Sequence, residues 1–378
     1  MPKIARIYVC LAALACCPSA LALDEEVLTD VIESARPEMR MPGLRAAVRF
    51  PDGTVVRAAS GLADKETGKP LDNDVGMPGG STGKVFAAAQ TMLLVEDGTL
   101  SLDDPVEAWL GDQPWFEKVP NADTMLVRHL LSHSSGIGDY PGKVRFNFAM
   151  VRRVIRHGSA YFTPEELIAY AGKKPRFDAG NGYAYSDAGY LLLGRVIEAA
   201  TGTSYFDLLR ERILIPHGLE DIHPQVQSAL PNITPGYQGG VSNLKDDGRM
   251  KLDPRSEWTG GGLVTTPTML VEFLGALAEG RIVSDESLAL MLESGWKDPD
   301  GPGYHYGFGL FVDDGGKWIG HDGLWVGYRT QVTHLLQSGV TIAVQTNRDG
   351  RVDLVGLVTE IAELIESDSS TQSRTNSR

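Results

Sequence analysis

The sequence predicts an α/β (α+β) domain with a discontinuous antiparallel sheet flanked by helices, and a mostly helical subdomain inserted between the two halves of that sheet. Three observations lead there. Strand signals cluster near residues 40–65 and again at 300–348; between 81 and 290 the apolar spacing is mostly helical; and no segment repeats another, so the first and last strands must pair with each other. With 378 residues and 42% hydrophobic side chains, the chain has ample material for one large two-part domain or two domains.

Lys3 and Arg6, the apolar stretch Ile7 to Cys17 and the small residues Ala20-Leu21-Ala22 read as a secretory signal over 1–22, cleaved before Leu23. The apolar stretch is about half the ~20 residues that a membrane span needs. All three cysteines, Cys10, Cys16 and Cys17, lie inside it, so the mature chain is expected to have no thiol and no disulfide. Ala13-Leu14-Ala15 is a mediocre lipobox for anchoring through Cys16, which leaves a periplasmic or secreted protein as the expectation. The domain then runs over 23–366. Asp24 to Arg36 is an amphipathic helix ended by Pro37, and Leu44 to Phe50 with Thr54 to Ser60 forms a hairpin around Pro51-Asp52-Gly53. Thr163-Pro164 and Thr266-Pro267 mark helix starts, with threonine at the cap and proline at the first helical position. Strands return at Tyr304 to Asp313, Lys317 to Gly320, Tyr328 to Leu336 and Gly339 to Gln345. A last helix, Val352 to Ile365, precedes a polar tail, 367–378, expected to be disordered.

Three short motifs carry the chemistry. Ser81 has Lys84 three residues on; Tyr185 opens Tyr185-Ser186-Asp187; His321 opens His321-Asp322-Gly323. Ser-x-x-Lys also occurs at Ser242 to Lys245 and Ser294 to Lys297, but both run into glycine-rich polar loops. After Lys84 the chain is apolar and alanine-rich up to Gly98, a helix with a glycine at its end. Ser81 and Lys84 therefore share one face of a first helical turn, next to unpaired backbone N–H groups suited to a developing oxyanion. A serine hydroxyl needs a base, and a lysine serves only when its environment favours the neutral amine; Tyr185 is a second hydroxyl able to relay the proton. Ser81 also lies in Gly79-Gly80-Ser81-Thr82-Gly83, a G-x-S-x-G match. The polar, proline-bearing residues before it provide no strand for a nucleophile elbow.

Removing 1–22 takes away two basic and no acidic side chains, so the mature charge is 33 − 49 = −16. That acidity argues against nucleic acid and against anionic membranes, and favours a small-molecule or peptide substrate. His129 and His133 have i, i+4 spacing but lack the glutamate of a zinc motif, and Gly260-Gly261-Gly262 lacks the lysine of a phosphate loop. No metal and no cofactor are expected, nor an integral membrane span; the oligomeric state is open.

These motifs, in this order, resemble the serine hydrolase family of class C β-lactamases, D-alanyl-D-alanine carboxypeptidases, D-aminopeptidases and β-lactamase-like esterases. The resemblance covers roughly Glu25 to Ile365 and extends to Leu94 to Val106, Arg128 to Gly136, Tyr190-Leu191-Leu192-Leu193-Gly194 and Gly261 to Thr266. It implies a β-lactamase/transpeptidase-like fold, with Ser81 as nucleophile, Lys84 as proton acceptor and Tyr185 as general acid/base. His321 would lie on the strand lining the cleft, electrostatically close to Tyr185, and the N–H groups of Ser81 and of Leu324, after Gly323, would form the oxyanion hole.

Two departures bear on substrate. Asp187 stands where relatives usually carry an asparagine, and a carboxylate accepts but cannot donate. Asp322 adds a second acid at the cleft edge. Substrates with a free carboxylate should be disfavoured, so the first expectation is hydrolysis of esters or small amides. D-alanyl-D-alanine carboxypeptidase, D-aminopeptidase or class C-like β-lactamase activity is the alternative, and a non-catalytic penicillin-binding-like protein a further one.

Overall fold

The computed structural model describes residues 23–298 and 301–375, and side chains up to residue 367. The expected signal, 1–22, lies outside the described residues. α1 (Glu25–Glu38) starts at Asp24, whose carboxylate accepts from the Val27 N–H at 2.9 Å, and it runs one residue past Pro37. β1 (Gly43–Arg49), β2 (Val55–Asp64) and β3 (Lys69–Pro70) follow. The helical region contains α2 (Gly83–Glu96), α3 (Val127–Leu131), α4 (Val144–His157), α5 (Pro164–Ala171), α6 (Asp187–Thr201) and α7 (Pro267–Ala278), with shorter helices between. Then come β4 (Tyr304–Tyr306), β5 (Phe311–Asp313), β6 (Trp318–Trp325), β7 (Tyr328–Leu335), β8 (Thr341–Thr346) and α8 (Leu354–Thr375).

The eight strands form one antiparallel sheet in the order β3-β2-β1-β8-β7-β6-β5-β4, so the first and last strands meet in the middle, with Ala47 opposite Ala343. Alternation along β1 sorts its residues between two cores. Leu44, Ala46 and Val48 pack with Leu28 and Ile32 of α1 and Leu357 and Ile361 of α8, while Ala47 faces the helical region. On that second face Phe86 of α2 stacks on Phe273 of α7 with ring centroids 3.5 Å apart. Thr163 and Thr266 cap α5 and α7 as expected.

Three differences from the sequence reading have local causes. Tyr304 to Asp313 is two strands, because Gly307 to Gly309 turns the chain; Gly309 has φ +84° and packs so close to Ala88 that a Cβ would fall 2.3 Å from it. β6 continues to Trp325, which puts the whole His321 triplet on a strand. α8 continues to Thr375, into the segment read as a polar tail, since extending a formed helix costs far less than starting one.

Arg45 of β1 has no exposed surface. Its guanidinium donates to the carbonyls of Val75 (2.5 Å), Asp72 (3.3 Å) and Thr265 (3.4 Å) and to Gln345 Oε1 (2.9 Å), and burial lowers its pKa to about 9. It ties the sheet to the two short strands, Met77–Pro78 and Leu263–Thr265, that lead into the Ser81 turn and out of the 260–262 turn. Replacing Arg45 by Met strands these acceptors in the interior, and should lower stability by about 3 kcal/mol or more. Urea denaturation of the Arg45→Met protein measures this; a loss under about 1 kcal/mol would contradict the role assigned to Arg45.

Candidate active site

The Ser-x-x-Lys segment opens with a single 3-10 turn, Gly80–Thr82, that feeds α2, so Ser81 stands just ahead of the helix and Lys84 in its first turn. Two close approaches make this possible. A Cβ on Gly80 (φ +59°) would fall 2.6 Å from the Leu324 nitrogen, and one on Gly83 would fall 2.7 Å from the Gly261 Cα. Glycine thus lets the start of α2, the edge of β6 and the 260–262 turn converge. Gly323 is equally constrained, since a Cβ there would fall 1.9 Å from the Gly79 carbonyl oxygen. The backbones of Ser81 and Leu324 border the same space.

Lys84 has no exposed surface, and its Nζ donates to Ser81 Oγ (3.1 Å), Asp187 Oδ1 (2.6 Å) and the Gly260 carbonyl (2.5 Å). Three acceptors match the three N–H bonds of an ammonium. Asp187 arrives through helix capping. Ser186 is the N-cap of α6, accepting from the Gly189 N–H at 3.1 Å, which puts Asp187 in the first turn, where the helix dipole favours a carboxylate. Tyr185, just before the cap, lies with its ring centroid 5.0 Å from Lys84 Nζ. Its hydroxyl is shielded from solvent and has no hydrogen-bond partner. Burial holds its pKa well above the ordinary phenol range and Asp187 adds to this, while Ser81 opposes it. Tyr185 therefore keeps its proton at neutral pH.

Ser81, Tyr185 and Asp187 line a cleft of about 850 Å³, together with Asp322 and Leu324. Tyr183 and Trp325 line it as well. Ser242 and Ser294 do not; Ser242 sits in the two-residue strand Val241–Ser242 and Ser294 caps the end of the helix Asp285–Glu293.

His321 lies on β6, the strand whose Asp322, Leu324 and Trp325 line the cleft, but its own side chain is not among the lining groups. It is buried behind the cleft wall, while Asp322, its neighbour on β6, faces the cleft and is exposed. Its Nδ1 lies 2.5 Å from the Asp322 carbonyl, which only accepts, so Nδ1 carries hydrogen and Nε2 accepts from the Tyr306 hydroxyl at 2.9 Å. Burial lowers its pKa to about 4, Lys84 adding to this against the pull of Asp322, so the ring is neutral at pH 7. Its centroid is 6.3 Å from that of Tyr185. Lys84 is the cation that pairs with Asp187; Arg195, further along the same helix, pairs with Glu165 and Glu198.

The histidine against Tyr185 is His133, with ring centroids 4.1 Å apart. It lies beyond the end of α3 at φ 54°, accepting from the Ser186 N–H at 3.2 Å, while His129 accepts from the Leu126 N–H at 3.1 Å. The i, i+4 pair thus shares no helix face, and among the described residues no cluster of His, Cys, Asp or Glu is arranged to hold a metal. Sequence reasoning also missed two carboxyls lining the cleft. Asp139 accepts from the Asp187 N–H (3.0 Å) at the start of α6; burial and the Asp187 charge raise its pKa to about 7. Glu257 has a buried oxygen with no partner, and burial raises its pKa to about 8, with Asp187 adding to that and Lys84 opposing it. No local pattern marks either residue, because both shifts arise from burial against Asp187 and Lys84.

The sequence profile of the Beta-lactamase family matches residues 28–365. Penicillin-binding protein 4 of Amycolatopsis lactamdurans is 30% identical over 338 residues, covering 83% of this chain and 83% of that protein. The D-aminopeptidase of Brucella anthropi is 29% identical over 336 residues, 86% of this chain; the chain spans only 60% of that enzyme's length. Among solved structures, a D-stereospecific amidohydrolase from Streptomyces sp. superposes with a TM-score of 0.77 at 26% identity, covering 89% of this chain and 98% of the other.

The raised carboxyl of Glu257 makes a pH-dependent contribution to stability. The folded state holds that proton more tightly than the unfolded chain, so the contribution is complete in acid, below the usual glutamate value of 4.5, and is lost as pH rises through about 8. Glu257→Gln is always neutral. Its thermal midpoint should match wild type near pH 4.5 and exceed it increasingly up to about pH 8, then by a constant margin. A midpoint difference that does not change with pH would rule out a buried titrating carboxyl here.

Proposed function

This chain belongs to the Beta-lactamase family, and on that premise we propose that it is a hydrolase acting through an acyl-enzyme on Ser81, with esters or small amides lacking a free carboxylate as substrates. The observation that carries the reading is the Lys84 ammonium held 3.1 Å from Ser81 Oγ and 2.6 Å from Asp187 Oδ1, beside the unpartnered Tyr185 hydroxyl. Once Lys84 has lost a proton to water in the cleft by way of Ser81 Oγ, that oxygen bonds to the substrate carbonyl carbon and the serine proton passes to the amine. The oxyanion rests on the N–H groups of Ser81 and Leu324. As the bond to the leaving group breaks, that group takes the Tyr185 proton, and Lys84 replaces it. Water then repeats the sequence on the acyl-enzyme, restoring Ser81. His321 takes no proton in this scheme; its neutral ring supports β6 through Tyr306. The protein acts in the periplasm or outside the cell, exported by residues 1–22.

A second reading is favoured by the acids around the cleft. Asp322, exposed at the cleft, and Asp187 would accept the ammonium of an amino-acid amide or of a peptide N-terminus, with Asp139 and Glu257 adding to them once they lose their protons, which accords with the D-aminopeptidase and D-stereospecific amidohydrolase among its relatives. Free D-amino-acid p-nitroanilides should then be cleaved faster than their N-acetyl forms, and the reverse order would favour the neutral ester substrates.

Fluorophosphonate labelling followed by intact mass measurement tests the nucleophile. Ser81→Ala should abolish labelling and turnover, while Ser242→Ala and Ser294→Ala leave both intact; Lys84→Arg, which keeps charge but cannot cycle a proton, should slow acylation at least about 10²-fold. Label retained in the Ser81→Ala protein refutes the assignment.

The Lys84–Asp187 pair also predicts a pH profile. Asp187 holds its carboxylate 2.6 Å from Lys84 Nζ, so Asp187→Asn, which removes that charge, should change the pH profile of ester hydrolysis and improve acylation by penicillins. An unchanged profile and unchanged preference in Asp187→Asn would show that the carboxylate does not govern Lys84.

A further inference from the structure

We propose that the outer face of α4 is a docking surface for an anionic lipid bilayer. α4 has two different faces. Its inner side is satisfied within the fold: Phe146 packs against Phe162 (5.1 Å between centroids) and Tyr170 (5.8 Å), and Arg153 lies over the Phe162 ring and pairs with Glu166 at 2.6 Å. Its outer side carries Val144, Phe148, Val151 and Ile155, which are 83%, 71%, 51% and 78% exposed. At 3.6 residues per turn these four fall within an arc of about 60°. They form one continuous apolar stripe turned to solvent.

Charge beside the stripe selects its partner. Arg145, Arg152 and Arg156 lie in a row along one flank, all exposed, and Arg152 and Arg156 form no ion pair among the described residues. From Lys143 to His157 there is no aspartate or glutamate, in a chain with 49 acids against 35 bases. An arginine row beside an apolar ridge matches lipid phosphates beside acyl chains, the geometry of an interfacial helix. A second copy of the helix offers those arginines no carboxylate. At about 21 Å, α4 is too short to span a bilayer, so it lies along the surface, and no described helix is long and apolar enough to cross one. The net charge, which argues against anionic membranes, averages over this local asymmetry. Phe146, Asn147 and Met150 of the same helix line the cleft, so docking sets the cleft mouth beside the lipid surface.

The test is co-flotation of the full chain with vesicles of phosphatidylcholine alone or mixed with phosphatidylglycerol. Wild type should bind the mixed vesicles, less well at high salt, and bind pure phosphatidylcholine weakly. Phe148→Glu/Ile155→Glu should abolish binding, and Arg152→Gln/Arg156→Gln should weaken it on the order of tenfold or more. Circular dichroism and thermal midpoint should be unchanged in both variants, as the four side chains are exposed. The proposal is overturned if wild type fails to bind, or if the variants bind as wild type does, which would place the anchor in the apolar stretch from Ile7 to Cys17 common to all three. It is also overturned if light scattering shows a wild-type dimer, lost in Phe148→Glu/Ile155→Glu, that does not bind vesicles.

Discussion

A lysine with no contact with water has to be given everything that water would have supplied, and the architecture around Lys84 follows from that requirement. Desolvating an ammonium costs several kcal/mol even after relaxation, and only close acceptors offset it. Asp187, the Gly260 carbonyl and Ser81 do so from three separate elements: the start of α6, the turn before Leu263, and the 3-10 turn ahead of α2. A shift of an ångström in any of the three would leave one N–H of the buried amine without its acceptor. The glycines at 80, 83, 261 and 323 serve the same end, since any side chain there would hold these elements apart.

The neighbourhood is also arranged to carry little net charge. Asp139 and Glu257 keep their protons up to about pH 7 and 8, and His321 and His133 are held neutral by burial. What remains is the Lys84–Asp187 pair, with Asp322 exposed at the cleft edge. Around them pack the rings of Tyr185, Tyr190 and Tyr306, each with its phenol pKa pushed up by burial. A site built this way changes its electrostatics with pH through groups that never touch Ser81.

Much of the frame was legible because it rests on local rules. Asp24, Thr163 and Thr266 cap helices as their residue types suggest, the hairpin at residues 51–53 turns as expected, and the early and late groups of strands pair in one sheet. Ser81, Lys84, Tyr185 and Asp187, separated by about a hundred positions, come together as their order implied. What was not legible arises from contacts distant in sequence. Nothing near Glu257 or Asp139 signals that burial will keep them protonated, and nothing near Tyr306 signals that it will hold His321. The pattern of α4 gives an apolar period but not which face is buried; only the packing of Phe146 and Arg153 decides that.

The pairing of β1 with β8 has a consequence for the order in which the molecule comes to life. The Gly43 N–H donates to the Asn347 side chain at 2.8 Å across 304 positions of chain, and Leu324, half of the expected oxyanion site, belongs to a strand made after the whole helical region. A nascent chain that has emerged as far as α7 contains Ser81, Lys84 and Tyr185 but only the β1–β3 part of the sheet, without the strand that brings Leu324 to them. Contacts of such separation form late and slowly. On the proposed reading the Ser81 hydroxyl thus stays unarmed until the last strands are made, and a chain cut short before β6 is inert rather than half-working.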